Sequence, residues 1–426
     1  MFPTPWTPPT HIEAQLQAAT AHGDWDGQLG ALAVAELYME EGRAEADGLV
    51  PPAPLVPYRD PASGKRCLPV LTRGALPPWR PDRVLQRTTL DELALEWPHD
   101  KWHLAVNPGH PSAAVVPATP LDREAWLEVC AEAPPRVPGL LLSLYTGPLH
   151  GPLAHGLACG APLAVRDGVP WNELGGVYRD YDEDRVTLYG TWGVADPAGW
   201  WHLTQRLLAG EGADREAEFA LRAREGLAEH SADGAPATAQ WREAVTHVLT
   251  HRAAGAAEVQ ALDATVTRIA AAEEQLVRDA VLQPGRRVGS TVAHGLACAV
   301  VLARLGLSAR LCSPADAERV VLTAGEAARR TYASWPAFSA GFLLGAALGS
   351  GAGDARAGGP HAGNPYAGVP HAGNPYAGHP HAGNPYAGHP HAGDPRAAVS
   401  GHDAAVNAHR LLLGDPASPW RNIPWS

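Results

Sequence analysis

The spacing of apolar residues divides the chain into a first part with mixed patterns and a longer helical part. In the first part, His11–Ala21 and Gly27–Glu40 carry an apolar residue every three or four positions, which predicts two paired helices. Thr89 and Thr119 each precede an acidic residue by three positions, a signal for a helix N-terminus. Short apolar runs predict three strands, at 67–71, 103–106 and 113–116. Helices mixed with strands predict a small α+β domain.

From residue 140 onward the apolar period is close to 3.6 residues, which predicts a mainly α-helical domain. The predicted helices cover residues 155–165, 180–189, 196–208, 214–229, 237–251, 257–282, 288–305, 314–332 and 402–413. Short turns between them favour antiparallel neighbours. Trp335, Phe338 and Phe342 project from one side of a further helix, so we expect them in the core. Trp420 and Trp425 are predicted to anchor the last residues by burial.

Proline-rich and repetitive stretches set the predicted domain bounds. The run from Ala131 to Pro138 cannot continue a helix, which predicts an α+β domain at 1–133 and a helical domain at 139–426. Residues 351–400 contain a decapeptide repeat, PHAGNPYAG plus one residue, with copies that begin at Pro360, Pro370, Pro380 and Pro390. The repeat lacks apolar residues for a core, so we interpret it as a disordered, low-complexity insertion.

Composition narrows the possible partners and compartments. The net charge of -12, without a basic run, argues against a nucleic-acid partner. The five cysteines are scattered and odd in number, at positions 67, 130, 159, 298 and 312. That pattern fits reduced thiols in the cytoplasm better than a disulfide framework. The first ten residues have neither a basic nor an apolar run, so no secretory signal is expected.

A candidate membrane segment is Thr331–Gly353, which has no charged residue and repeats glycine at 341, 345 and 349. Its most apolar part, Phe338–Leu348, is too short to cross a bilayer. We therefore predict a buried helix whose glycines admit a close neighbour, and no contact with a membrane.

Four stretches of the first 118 residues form a distinctive series: GQLGALAVAELYM, LPVLT, DELALEW and KWHLAVNPGHPSAAVVP, of which the Asn107-Pro108-Gly109 turn is the most specific part. Through these stretches the first 118 residues resemble the N-terminal domain of SseB-type proteins. Such domains have no accepted catalytic residues, so the resemblance implies an interaction module.

Four motifs follow one another in the remainder of the chain: HGLACGAPLAVRDGVPWNELGGVYRDY, TWGV at 191–194, RTYASWPAFSAGFLLG and the closing SPWRNIPW. In these motifs, which span most of residues 145–426, the chain resembles the bacterial domain-of-unknown-function family 1266. The family has no assigned activity, so this resemblance implies a helical fold and no chemistry. The apolar stretch 288–306 departs from the polar helix expected there.

One candidate ligand site is the corner around Gly175 and Gly176, where Trp171, Asn172, Glu173 and Tyr178 surround a flexible backbone. Asp180 follows within the acidic run 179–184, which could hold a hard cation. Each feature also has a structural interpretation, which we favour. The corner could lock two helices, and the acidic run could complement a helix dipole.

Two further features could bind a metal ion. The repeated AHGLAC places His155 with Cys159 and His294 with Cys298 at a spacing of four, and two such helices could form a Cys2His2 zinc site. The alternative, which we favour, is close helix packing by small residues. The insertion also contains imidazoles, at His361, His371, His379, His381, His389 and His391. They could chelate zinc, nickel or copper. The interpretation that we favour is a low-complexity spacer that binds no metal.

These patterns predict a cytoplasmic bacterial protein that acts by binding other proteins, of unknown identity. The sequence shows neither a catalytic triad pattern, nor a phosphate loop, nor a dinucleotide fingerprint, so no catalytic residue and no cofactor is predicted. The alternative is an enzyme with a pocket between the Trp171–Tyr178 corner and the Trp335 helix. A binder would leave the polar corner residues pointing apart, whereas an enzyme would gather them into one concave site.

Overall fold

The fold combines a mixed β-sheet in the first part of the chain with a mostly helical remainder. It is described from a computed structural model for residues 6–47, 49–51, 54–78, 80, 82–134, 140–144, 147–178, 181–229, 237–252, 254–357 and 401–425. At residues 178, 181–183 and 350–357 the description is limited to the backbone. The predicted division into a part with strands and a helical part is confirmed.

The described sheet has seven strands, which include two parallel pairs. The strands are β1 (Leu37–Gly42), β2 (Tyr58–Arg59), β3 (Arg66–Thr72), β4 (Arg83–Thr88), β5 (His103–Val106), β6 (Ala114–Val116) and β7 (Val177–Tyr178). Their order is β6-β5-β3-β1-β4-β7, and β2 pairs with β3. The β3–β5 and β4–β7 pairs are parallel, and the other pairs are antiparallel.

The second predicted helix is too long. Residues 27–40 were expected to be helical, but the helix ends at Val34 and Leu37–Gly42 forms the strand β1. This strand lies between β3 and β4 and is hydrogen-bonded on both sides, with Leu37 opposite both Thr72 and Thr88. Pairing with distant strands therefore overrides the local helical pattern.

Five described helices accompany the sheet: α1 (His11–His22), α2 (Trp25–Val34), α3 (Arg43–Ala46), α4 (Leu90–Leu95) and α5 (Pro120–Glu132). The Thr119 side chain accepts a hydrogen bond from the Asp122 backbone and Asp122 returns one, so the predicted start of α5 is confirmed. The apolar faces of α1, α2, α4 and α5 share one core with β3 and β5, in which Trp126 is fully buried.

The helical part is built around one central helix. Its described helices are α6 (Gly151–Cys159), α7 (Ala161–Asp167), α8 (Tyr181–Trp192), α9 (Pro197–Leu208), α10 (Arg215–Glu229), α11 (Thr238–His251), α12 (Ala256–Arg278), α13 (Val292–Ser308), α14 (Pro314–Thr331), α15 (Trp335–Ala357), α16 (Gly401–Gly414) and α17 (Pro419–Asn422). α13 packs against α6, α7, α8, α9, α14 and α15. Helices on every side explain why its sequence is apolar all round.

The helix expected at 155–165 is two helices, broken at Gly160. Pro162 has no N–H, so it cannot donate to the Ala158 carbonyl four residues earlier. The indole N–H of Trp420 donates to that carbonyl instead, at 2.9 Å. The break therefore creates a hydrogen-bond acceptor that holds the C-terminal residues on α6.

An aromatic cluster attaches the end of the chain to α15. Trp335 stacks on Trp420 with ring centroids 5.4 Å apart and meets Trp425 edge to face at 4.7 Å. The indole of Trp335 donates to the Ile423 carbonyl, and that of Trp425 donates to the Tyr332 carbonyl. Trp335 is 4% exposed. The predicted burial of Trp335 and the anchoring by both terminal tryptophans are confirmed.

The glycine stripe of α15 faces the start of α13. A Cβ at Gly341 would lie 2.7 Å from the Ser290 carbonyl oxygen, and one at Gly345 would lie 2.6 Å from that of Thr291. The expected close neighbour is therefore present. Within the described ranges, no helix combines the length and apolar character that a bilayer crossing requires.

The structure tests two predicted boundaries only in part: the linker at 131–138 and the start of the insertion at residue 351. The linker prediction includes residues 135–138, which lie outside the described residues, but β7 at 177–178 pairs with β4, so the sheet recruits backbone from beyond the linker. The insertion was expected from residue 351, whereas α15 continues to Ala357. The remainder of the insertion, with its histidines, lies outside the described residues.

Replacing Trp335 by alanine tests the aromatic cluster. Truncation of a buried tryptophan typically costs about 3–5 kcal/mol, and three indole contacts to the C-terminal residues depend on this ring. We expect Trp335→Ala to lower the free energy of unfolding by that amount, measured by urea denaturation. Trp201→Ala is the matched control, because Trp201 is 38% exposed and its loss should cost under about 1 kcal/mol. Equal losses in both variants would contradict the role of the cluster.

Candidate functional site

The corner begins with residues that pair with a preceding stretch of backbone. Trp171 donates its backbone N–H to the Leu142 carbonyl at 2.9 Å and its indole N–H to the Ser143 hydroxyl at 2.7 Å. Asn172 makes two bonds to the backbone of Leu144, accepting from N–H at 2.7 Å and donating to C=O at 2.8 Å. The Asn172 amide thus forms the same pair of hydrogen bonds with Leu144 that the backbone of a neighbouring strand would form.

The turn that follows requires glycine. Gly175 has φ +64°, and a Cβ there would lie 2.5 Å from a methyl carbon of Leu307 on α13. The Gly175 carbonyl accepts from the guanidinium of Arg43, at 3.1 Å. Gly176 C=O then accepts from Leu85 N–H at 2.7 Å, which begins the pairing of β7 with β4. The corner therefore touches both the sheet and the central helix.

Glu173 is the charged centre of the corner. One carboxylate oxygen accepts from the N–H groups of Gly176 and Val177, at 2.6 and 3.0 Å. The other is 3.1 Å from a terminal nitrogen and 3.3 Å from Nε of Arg304 on α13. Both side chains are buried. Glu173 consequently holds the turn closed and neutralises the Arg304 charge inside the protein.

The structure brings three of the predicted site residues together, each bonded to a different part of the chain. Trp171, Asn172 and Glu173 are all buried, and their polar atoms point to different partners. Tyr178 is described by its backbone, which lies in β7. Asp180 lies outside the described residues. The side chains of residues 181–183 are also undescribed, so the acidic run stays a hypothesis.

The two His-Cys pairs of the repeated AHGLAC occupy different surroundings. His155 packs on Trp335 and Trp425, with ring centroids 4.8 and 5.2 Å away, whereas His294 packs on Phe342 at 5.4 Å. Cys159 Sγ lies 3.5 Å from the carbonyl oxygen of His155. Across the described residues, no group of three or more His, Cys, Asp or Glu side chains is arranged to hold a metal ion. The four residues are thus not gathered into one cluster.

Burial also changes the acid–base properties of these pairs. It lowers the pKa of His155 to about 4, helped by the Arg329 charge and opposed in part by the backbone of Pro424. Neither ring nitrogen of His155 makes a hydrogen bond of good geometry to a described residue. Burial raises the pKa of the Cys159 thiol, and that of Cys298 to about 12. Both thiols are protonated at neutral pH and lie buried in the core of the helical part.

Two polar features were not anticipated. Arg304 is the single charged residue in the sequence of α13, which is a visible signal, but its partner Glu173 is 131 positions away. In the first part, the buried Glu13 carboxylate accepts from the Thr72 hydroxyl and from Gly74 N–H. Asn107, which was noted for its turn, has φ +49° and donates to Thr72 and Ser112. The bonds join α1 to the ends of β3 and β5.

A family model matches one segment of the helical part of the chain. Residues 187–366 match the model of the family described as Protein of unknown function (DUF1266). The resemblance to DUF1266 is thereby confirmed for a segment that begins in α8 and includes α9–α15. The corner at 171–178 precedes the matched DUF1266 segment, as do the residues that resemble SseB-type domains. No curated protein and no solved structure matches the chain.

Breaking the buried ion pair tests the corner as a structural lock. Glu173→Gln keeps an acceptor for the turn but leaves the Arg304 charge buried without a counter-charge, which typically costs about 3–5 kcal/mol. The double variant Glu173→Gln/Arg304→Met should recover much of that loss in urea denaturation, because no charge is then left unpaired.

The control for this pair is Glu40→Gln, since Glu40 pairs with Arg80 at 3.0 Å at the surface. Its loss should cost about 1 kcal/mol or less. A Glu173→Gln variant as stable as Glu40→Gln would refute the lock.

The low pKa of His155 predicts a pH dependence of stability. An unfolded chain binds a proton at this histidine below pH about 6.5, whereas the folded protein resists it until about pH 4. The neutral ring therefore contributes stability that is fully present above pH 6.5 and is lost as pH falls towards 4, by about 3 kcal/mol in total. In His155→Leu, the fall in unfolding free energy between pH 7 and pH 4.5 should be smaller than in the parent by most of that amount. An unchanged fall would contradict this assignment.

Proposed function

We propose that the protein is a non-catalytic interaction module that binds another protein through the proline-rich segment 49–57. The observation that carries the proposal is the exposure of this segment. Leu49, Val50, Leu55 and Val56 are all exposed, and Leu49 and Val56 are 77% and 81% exposed. Four large apolar side chains within eight residues cost free energy in water, and a partner that covers them removes that cost.

The segment is held at both ends by the fold. On the N-terminal side, the backbone N–H groups of Leu49 and Val50 both donate to the Ala44 carbonyl of α3, at 2.8 and 3.3 Å. On the C-terminal side, Tyr58 and Arg59 form β2 and pair with β3. Fixed ends reduce the conformational entropy that binding must remove, which favours affinity.

The chemistry of the segment indicates the kind of partner. Prolines recur at 51, 54 and 57, and a spacing of three places them on one side of a polyproline II helix. Pro51 and Pro54 are exposed. Grooves lined by aromatic side chains bind such helices, because rigid proline rings lose little entropy there. The partner proposed is a protein with a groove of this kind.

The corner gives less support to the alternative of an enzyme. Asn172 is bonded to Leu144 and Glu173 to Arg304, which occupies the groups that a substrate would use. A small pocket beside Gly176 is lined in part by Glu40 and Arg80. These two side chains form an ion pair at 3.0 Å, so their charges are directed at each other. Trp335, the other side of the envisaged pocket, is engaged with the C-terminal residues.

The proposal extends to the first domain as a whole. Its resemblance to SseB-type domains implies an interaction module, and the exposed segment lies within that domain at 1–133. We also propose a location in the bacterial cytoplasm, because five scattered cysteines fit reduced thiols better than a disulfide framework.

Charged substitutions in the segment test the proposal. Full-length protein is immobilised and incubated with native cell extract, and the retained proteins are identified by mass spectrometry. Leu55→Asp/Val56→Asp should reduce retention of the partner at least tenfold, because charge cannot enter an apolar groove. A synthetic peptide of residues 49–59 should release the partner from the parent protein.

Matched controls separate docking from general surface effects. Leu95→Asp/Leu121→Asp adds the same charge at two leucines that are 70% and 75% exposed elsewhere in the first domain, and should retain the partner. The peptide with alanine at positions 51, 54 and 57 should not release it. Identical sets of proteins on the parent and on Leu55→Asp/Val56→Asp would refute the proposal.

A further inference from the structure

The outer face of α11 carries two histidines that point at one another. The Nε2 atoms of His247 and His251 are 3.1 Å apart, and the ring centroids are 4.4 Å apart. Both residues are exposed. A spacing of four places them one above the other along the helix, so the arrangement follows from local geometry.

This face is directed away from the rest of the protein. α11 buries Trp241, Val245 and Leu249 against α10 and α12. The histidines are offset from that stripe by two residues, or about 200° of rotation, which places them on the opposite side. An ion from solvent can therefore reach both imidazoles without any movement of the core.

The separation of the two nitrogens matches a chelated metal ion. Imidazole nitrogens bind zinc at about 2.0–2.1 Å, and two such nitrogens 3.1 Å apart subtend about 98° at the ion. That angle lies between about 90° for square-planar or octahedral ligands and about 109° for tetrahedral ligands. The geometry thus suits copper, nickel and zinc, which imidazole favours.

Neighbouring charges also favour a cation. Glu243 is exposed and precedes His247 by one turn, which adds a negative charge to the same face. Arg252 is turned away, with its guanidinium 5.3 Å above the ring of Phe219. Arg242 pairs with Asp263 on α12, at 3.2 Å. Glu243 therefore adds a negative charge on the face of the two imidazoles, while the Arg252 and Arg242 guanidinium groups contact Phe219 and Asp263.

We infer that His247 and His251 form a surface chelate for a borderline divalent transition-metal ion, with water in the other coordination positions. Copper should bind most tightly, followed by nickel and zinc, and magnesium should not bind, because it prefers oxygen ligands. Binding requires a formed helix, so the ion stabilises the folded state against unfolding.

The test measures thermal melting of the full chain, made without a polyhistidine tag, in the presence of NiCl2 or MgCl2. Nickel at 100 times its dissociation constant should raise the melting temperature of the parent by several degrees, and magnesium should not. Chemical modification of histidines by diethyl pyrocarbonate, read by mass spectrometry, should be at least fivefold slower at both His247 and His251 when nickel is present.

A rearranged variant serves as the matched control. Thr246→His/His247→Thr keeps the number of histidines but places them five residues apart, or about 140° around the helix, where they cannot chelate. This variant and His251→Gln should both lose the nickel-dependent stabilisation. Equal stabilisation of the parent and both variants would overturn the inference, because another site, such as the histidines of the insertion, would then hold the ion. Absence of stabilisation in the parent would overturn it as well.

Discussion

The ion pair between Glu173 and Arg304 joins the turn that leads into strand β7 to the central helix α13. Arg304 is the charged residue of a central helix that is packed on all sides, so its charge must be neutralised inside the protein. Glu173 supplies that charge and, with its other oxygen, accepts from Gly176 and Val177. The turn that results delivers β7 to the edge of the sheet, beside β4. One carboxylate therefore links the position of the central helix to the completion of the sheet.

Elements with local signals could be predicted from the sequence, and elements that depend on distant pairing could not. The start of α9 follows from Asp196 and Pro197, since Asp196 caps the Gly199 N–H within four residues of chain. The strand β1 has helix-favouring residues, and its extended form depends on β3 and β4, up to about 50 positions away. The break at Gly160 depends on both a local signal and a distant contact. Pro162 is visible in the sequence, but the Trp420 indole that completes the break is not close to it.

The same distinction applies to the candidate site. Asn172, Glu173 and the two glycines could be identified from sequence as an unusual corner, but a ligand site and an internal lock use the same residue types. The contact between Arg304 and Glu173 favours the internal lock, and that contact is a property of the folded chain. The repeated AHGLAC makes the point again, because His155 lies among tryptophans whereas His294 lies beside Phe342. An identical six-residue motif does not guarantee identical chemistry when the neighbouring residues differ.

The buried charged residues of this protein differ from its exposed side chains in their freedom to bind a partner. The buried charged residues Glu13, Glu173, Arg304 and Arg224 have partners in the fold, and removing a partner leaves a buried group unpaired. Such groups are constrained by stability and have little freedom to acquire a ligand. Exposed groups lack that constraint. The apolar side chains at 49–56 and the imidazoles of His247 and His251 can each gain a partner from solvent while the core contacts stay as they are. At His247 and His251 a bound ion would add to the stability of the fold, because the two imidazoles are held together by the folded helix.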